Sequence, residues 1–192
     1  MKYRLIVLTY NPGKIWQTWI EAFKKQNIHN LDCLVIDSSS TDDTVRKSKE
    51  AGIKVITIPK TEFSHGATRD YAFRISKNFD ILIFMTQDAI LYDPNSISKL
   101  IQGFNDSNVA ISFGRQIPKV DSTPIESHAR LFNYPSNSRL VSKIDKNTFG
   151  FKAIFNSNSF SAYRTKALDQ IDGFPNEVSF GEDSYVAGKI LL

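Results

Sequence analysis

The chain has 192 residues, of which 41% are apolar and 23% charged, with a net charge of +4. That size and balance describe one domain with a substantial core. The basic excess is too small and too dispersed to argue for nucleic acid. The lone cysteine, Cys33, sits in the apolar stretch "LDCLVI" and forms no internal disulfide. No apolar run approaches the length that crosses a membrane, and the amino terminus lacks a small-residue cleavage site. The expectation is a soluble, cytoplasmic chain.

In chain order, Tyr3 to Thr9 is a strand, broken by "NPGK". Ile15, Trp19, Ala22 and Phe23 follow at helical spacing, and Trp16 and Trp19 read as packing residues. A second strand, 31 to 37, leads into "SSSTDDTVRKSKEAG", whose hydroxyl and acidic residues suit a helix start and whose Gly52 suits its end. Residues 53 to 59 make a third strand, Gly66 to Lys77 a helix, and 80 to 86 a fourth strand. Asp93-Pro94 looks like a helix start with proline at the first helical position, and 109 to 114 is a fifth strand. Past residue 115 the pattern weakens, with one helix near 125 to 133. "FNSNSFSAYRTKALDQIDGF" is regular again, and the last segment reads as a helix still running where the sequence stops, which suggests a C-terminal truncation.

Strand–helix alternation repeated four times predicts an α/β fold with a mostly parallel sheet flanked by helices. Ligands of such sheets bind outside the carboxyl ends of the strands. Those ends here are Thr9-Tyr10-Asn11, Asp37-Ser38-Ser39-Ser40 and Thr86-Gln87-Asp88, all on one edge. Each is weak alone, because an acid ending a strand is usually a turn former or a cap. Together they predict a cleft with two acids and many hydroxyls. The turn "TYNPGK" carries neither a dinucleotide glycine fingerprint nor a P-loop, so phosphates would be held by a metal or by side chains. Asp88 at its strand end could hold Mg²⁺ or Mn²⁺. His65 and Arg69 stand where a helix begins, a position that favours anions, though a structural cap is an equal reading for the histidine. His29 and His128 lack the spacing of a zinc site.

"VLTYN", "VIDSSSTDDT", "FMTQDA" and "SFGEDSYVAGKI" occur in the order and spacing of family 2 nucleotide-sugar glycosyltransferases, and the chain resembles that family over essentially its whole length. "EFSHGATRDYA" and "FGRQIPKVDSTPIESHARLFNYP" resemble more narrowly the branch that uses dTDP-L-rhamnose. The resemblance implies a GT-A fold, with a nucleotide-binding half (1–114) and a less regular acceptor-side half (115–192). It implies that Thr9, Tyr10 and Asn11 line the base and ribose pocket, with Asp37 on the pyrimidine or ribose and Ser39 among the nucleotide-sugar-binding residues. His65 and Arg69 would meet the nucleotide or its sugar, Arg115 the diphosphate or substrate, and Gln87 would belong to the nucleotide-sugar site. "TQD" stands in place of the family's metal-binding Asp-x-Asp, so Asp88 alone remains as the direct ligand for Mg²⁺ or Mn²⁺. In "GED", Asp183 would be the general base of an inverting transfer, with Glu182 orienting neighbours or the acceptor. The implied partners are a dTDP-sugar donor, or a UDP-sugar, and a glycan or lipid-linked acceptor, with room for peripheral association at the inner face of the plasma membrane. The competing readings are a UDP-hexose transferase and a non-catalytic nucleotide-sugar-binding fragment.

Overall fold

The computed structural model describes residues 1–178 and 180–191. Ser179, the first residue of the "SFGED" motif, therefore lies outside the described residues. Six strands form one sheet: β1 (Tyr3–Thr9), β2 (Leu31–Asp37), β3 (Lys54–Thr57), β4 (Ile81–Thr86), β5 (Ile111–Phe113) and β6 (Phe160–Arg164). Their order across the sheet is β3-β2-β1-β4-β6-β5. The helices are α1 (Ile15–Lys24), α2 (Thr44–Glu50), α3 (His65–Arg74), α4 (Ser96–Gln102), α5 (Pro124–Asn133), α6 (Lys146–Phe149), α7 (Thr165–Gln170) and α8 (Glu182–Leu191).

The apolar runs of β1, β2 and β4 are continuous because both faces of these strands are covered. Successive side chains alternate between faces. Leu5, Val7, Cys33, Val35, Ile81, Ile83 and Met85 pack under Trp16, Trp19 and Ile20 of α1 and Ile97 and Leu100 of α4. Ile6, Leu8, Leu34, Ile36, Leu82 and Phe84 face the other way, onto Ala72 and Phe73 of α3, Leu168, Phe174 and Val186. The tryptophan pair is core: the rings stack at 4.7 Å and the Trp16 indole N–H donates to Ser48 Oγ.

The parallel pairing of β1 with β2, β1 with β4 and β2 with β3 agrees with the alternation read from sequence. The antiparallel insertion of β6 between β4 and β5 does not follow from it. By this insertion a strand from the 115–192 half shares the sheet of the 1–114 half. Two helix starts also differ from expectation. The helix after β2 begins only at Thr44, because the hydroxyls before it are used elsewhere. The helix expected at Pro94 begins at Ser96, because Asp93 instead closes a turn by accepting from the Asn95 N–H at 2.7 Å. The helix near 125 does form, with a capping box between Thr123 and Glu126.

Glycine 66 decides how α3 lies. A Cβ there would stand 1.9 Å from the Pro175 carbonyl oxygen, so α3 approaches the segment leading into α8 as closely as backbones allow. Gly66→Ala is therefore expected to cost about 1–3 kcal/mol, as overpacking does, with the loss read as a lower urea midpoint at unchanged slope.

Candidate active site

The carboxyl ends of β1, β2 and β4 do lie side by side, in the registers Thr9↔Asp37 and Leu8↔Thr86. β1 is also where the strand order reverses, the place where open α/β sheets part to form a crevice. The loops there are tied to one another by short hydrogen bonds. Asp37 is fully buried. Its Oδ1 accepts from the Thr9 hydroxyl at 2.9 Å and the Ser40 hydroxyl at 2.6 Å, and its Oδ2 from the Ser40 N–H at 2.8 Å. Asn11 Oδ1 accepts from the Thr41 N–H at 2.7 Å, while the Asn11 N–H donates to Ser40 Oγ at 2.8 Å. Asp42 accepts from the N–H groups of Gly13 and Thr44. Asn11 and Ser39 both have positive φ, 43° and 60°, a costly backbone for non-glycine residues that persists because these bonds over-determine it.

Gln87 continues the pairing of β4 with β1 beyond its last ladder residue. Its side-chain carbonyl accepts from the Tyr10 N–H at 2.8 Å and its amide donates to the Tyr10 carbonyl at 3.2 Å. Tyr10 is thereby held at the rim, partly exposed, with the Lys60 ammonium 4.4 Å over its ring and donating to its hydroxyl at 2.8 Å. Asp88 is exposed and has no hydrogen bond or ion pair with any described residue. No group of three or more His, Cys, Asp or Glu side chains that could hold a metal occurs among the described residues. One free carboxylate fits a cation of the Mg²⁺ type, which takes one or two carboxylates and completes its shell with substrate phosphates and water.

The second cluster joins α3 to α8. Arg69 and Glu182 are both buried and form an ion pair, Nη1 to Oε1, of 2.5 Å. Asn158 donates its side-chain N–H to the same Oε1 at 3.3 Å. Asp183 is half-buried: its Oδ2 accepts from the Asn158 backbone N–H at 3.3 Å and its Oδ1 from the Ser184 N–H at 2.8 Å. Burial pushes its carboxyl above the ordinary range, and the neighbouring Glu182 charge adds to this, against those two bonds and Arg69. His65 is drawn below its usual value by partial burial and by Arg69, with Glu182 and Asp183 opposing. Arg115, just past β5, is exposed and makes no hydrogen bond or ion pair with a described residue.

The structure thus groups Thr9, Tyr10, Asn11, Asp37, Ser39, Gln87 and Asp88 at one edge. It gathers His65, Arg69, Glu182 and Asp183 into a second cluster and leaves Arg115 outside both. Sequence reading missed Asn156, Asn158 and Tyr163, which hold the second cluster from beneath. The available signal was "NSNSFSAY", small polar residues alternating just before a segment able to enter a sheet.

A family model described as "Glycosyl transferase family 2" matches residues 5–172. The chain belongs to this family. Two curated relatives are similar over nearly all of it. One is the "O-antigen chain rhamnosyltransferase RfbN" of Salmonella typhimurium, 41% identical over 192 residues. The other is the "O-antigen chain rhamnosyltransferase WbaN" of Salmonella anatum, 40% identical over 190 residues. The chain spans 100% of itself but 61% of the first relative, and 98% of itself but 60% of the second. Among solved structures, TarS 1-349 of S. aureus superimposes with a TM-score of 0.72 at 20% identity, over 100% of this chain and 55% of that one. The mannosyltransferase PcManGT from Pyrobaculum calidifontis, described in complex with GDP-Man and Mn²⁺, gives 0.70 at 20% identity, over 98% and 51%. This family 2 chain therefore has the GT-A architecture. Glu182 and Asp183 lie beyond the stretch that the family model covers.

The raised Asp183 carboxyl has a stability consequence with a definite sign. Between the ordinary carboxylate range and its own higher midpoint, the native state keeps a proton that the unfolded chain has lost, so stability falls as pH rises through that window. Asp183→Asn should flatten this slope and leave the protein at least as stable at neutral pH. Urea melts from about pH 4 to about pH 7 check it, that window bracketing a raised carboxyl.

Proposed function

We propose that this chain carries the donor site and catalytic base of an inverting glycosyltransferase that moves L-rhamnose from dTDP-L-rhamnose to a glycan or lipid-linked acceptor in cell-surface polysaccharide synthesis. The observation that carries the reading is a pair of acids in unlike settings, Asp88 just past β4 and Asp183 in the first turn of α8. Asp88 is exposed and unpaired among the described residues, whereas Asp183 is half-buried and makes no ion pair among them. The names of the two Salmonella relatives support rhamnose, and the family supports a nucleotide-sugar donor.

In this reading the nucleoside lies on the loops after β1 and β2. Tyr10, fixed by Gln87, offers its ring at the rim. Asp37 stiffens the floor, and only its Oδ2, which accepts a single bond, retains capacity for a donor from the base. A divalent ion, Mg²⁺ or Mn²⁺, held by Asp88 together with the diphosphate and water, would neutralise charge on the leaving group. Asp183 takes the proton of the acceptor hydroxyl as that oxygen attacks the anomeric carbon. The carbon–oxygen bond to the diphosphate breaks on the opposite face, which inverts the configuration. A base pushed above the ordinary carboxylate range suits the work, since general bases act best with a midpoint near the operating pH.

The acceptor side fits a lipid-linked substrate. The overall charge is less dispersed than it first reads: residues 115–152 hold seven Lys or Arg and three Asp or Glu, a net of +4, and the remainder holds seventeen of each, a net of zero. In the same stretch Ile125, Phe132, Ile144 and Phe151 are each more than half exposed. Apolar side chains amid basic ones suit an anionic lipid surface. Vesicles containing phosphatidylglycerol should bind the protein in a salt-sensitive way, and pure phosphatidylcholine vesicles should not. Equal binding to both would remove the electrostatic part of the argument.

Three measurements test the enzyme reading. A nucleotide panel should show dTDP stabilising more than UDP or ADP, by roughly 2.7 kcal/mol at a hundredfold over its dissociation constant. Asp88→Ala should abolish the Mn²⁺ enhancement of dTDP affinity while the melting temperature of the free protein holds. Asp183→Asn should lose about 10²–10⁴-fold in turnover with donor affinity retained. Retained turnover would shift the base to another residue, Glu182 first.

A further inference from the structure

Beneath Asp183 the polar groups form one hydrogen-bonded chain with a single direction. The Ser161 hydroxyl donates to Asn156 Oδ1 at 2.8 Å, and Asn156 Nδ2 donates to the Tyr163 hydroxyl oxygen at 2.6 Å. The Tyr163 hydroxyl donates to Asn158 Oδ1 at 2.7 Å, and Asn158 Nδ2 donates to Glu182 Oε1 at 3.3 Å. Arg69 meets that carboxylate from the other side. All six residues are buried. Every link donates toward the carboxylate, so each bond polarises the next in the same sense. The order also fixes which end of each asparagine amide is oxygen. Reversing Asn158 would set its N–H₂ against a hydroxyl already donating to it and its oxygen against a carboxylate.

The backbone of Asn158-Ser159 meets both acids of the site. The Asn158 N–H donates to Asp183 Oδ2 at 3.3 Å, and the Ser159 carbonyl accepts from the Thr86 N–H at 3.4 Å, two residues before Asp88. The next residue, Phe160, enters β6 opposite Met85. One dipeptide is thus hydrogen-bonded to the acceptor-side acid and to the strand that ends in the donor-side acid. An inverting displacement needs these two ends in line, and a misplacement of about 1 Å can cost a hundredfold in rate.

We propose that Asn158 is the positioning residue of the reaction: locked by the Tyr163–Glu182 chain, its dipeptide sets the distance and direction of Asp183 relative to the edge that carries Asp88. This rests on the reading of Asp183 as base, and the tests separate the two. Asn158 touches neither donor nor acceptor in this scheme. Its effect runs through the carboxylate that its backbone holds.

The variants are Asn158→Ala, which removes both side-chain bonds, and Tyr163→Phe. The latter keeps the ring packed against Phe84 and Phe174 but removes the hydroxyl, so it carries the test if Asn158→Ala fails to fold. The primary readout is the backbone amide of residue 158 in a nitrogen-15 pH titration, together with the Asp183 side-chain carboxyl carbon. In the wild type the amide should titrate with the same midpoint as Asp183. In both variants that shared titration should shrink by at least half, and turnover of whichever sugar nucleotide stabilises the protein should drop about 10²-fold with donor KM within twofold. An amide that still tracks Asp183 at full amplitude, or turnover unchanged in both variants, overturns the proposal. If Asp183→Asn retains turnover while the amide coupling behaves as expected, the base assignment fails and the positioning geometry stands.

Discussion

A buried arginine and a buried glutamate are tolerable only together. Arg69 and Glu182 are 113 residues apart in sequence, and their contact is what ties the amino end of α8 to α3. Removing either partner of such a pair would leave an uncompensated charge in the interior, which typically costs 3–5 kcal/mol. A well-packed apolar pair could serve stability as well or better. What the ion pair adds is placement: it turns the first residues of α8 so that the next side chain, Asp183, leaves the interior half-way. The approach of α3 depends on the missing side chain of Gly66, and that of the preceding turn on Gly173, whose Cβ would meet Asp70 Oδ1 at 2.1 Å.

The other edge of the site is built on a different principle. There the chain is held by short side-chain bonds from Asp37, Asn11, Asp42 and Gln87 to neighbouring loop backbone, with two residues held at positive φ. The loops after β1, β2 and β4 cannot move independently, since the bonds of Asn11, Asp42 and Gln87 cross from one to another. A rigid rim of this kind would take up a ligand at little conformational cost, which is the general advantage of preorganisation. It also explains why polar strand-end residues that could all face a ligand do not do so. Asp37, Thr9 and the Gln87 amide spend their hydrogen bonds inside the protein, leaving Tyr10 and Asp88 exposed at the rim.

Sequence made the central strands legible because a strand covered on both faces must be apolar throughout, and runs such as "LDCLVI" and "ILIFM" admit few other readings. It made the strand ends legible as one cluster because parallel topology brings all carboxyl ends to one edge. β6 was not legible as a strand. Its "FSAYR" buries Ser161 and Tyr163, whose polar atoms are satisfied by Asn156 and Asn158 across the turn, so the usual mark of burial is absent. Asn158 escaped notice for the same reason: its partners Glu182 and Asp183 stand 24 and 25 residues away. The delayed start of α2 came from competition, as Ser40 and Thr41 give their hydrogen bonds to Asp37 and Asn11 before the helix can use them.

Two adjacent carboxylates on one helix turn receive opposite treatment here. Glu182 is taken inside and given a guanidinium and an amide, so its charge is compensated and its orientation fixed. Asp183, one residue on, is given two backbone N–H bonds and no ion pair among the described residues, while burial and the charge of Glu182 press its proton affinity upward against those bonds and the Arg69 charge. The same pair explains the order of the two acids in "GED". The inward position must belong to the residue with the longer reach, since Oε1 has to meet Arg69 and Asn158 together. The shorter aspartate then remains half-buried. An exchange of the two residues would place the longer carboxylate in the cleft and strand Arg69 without its partner, so the order Glu then Asp is set by packing first and chemistry second.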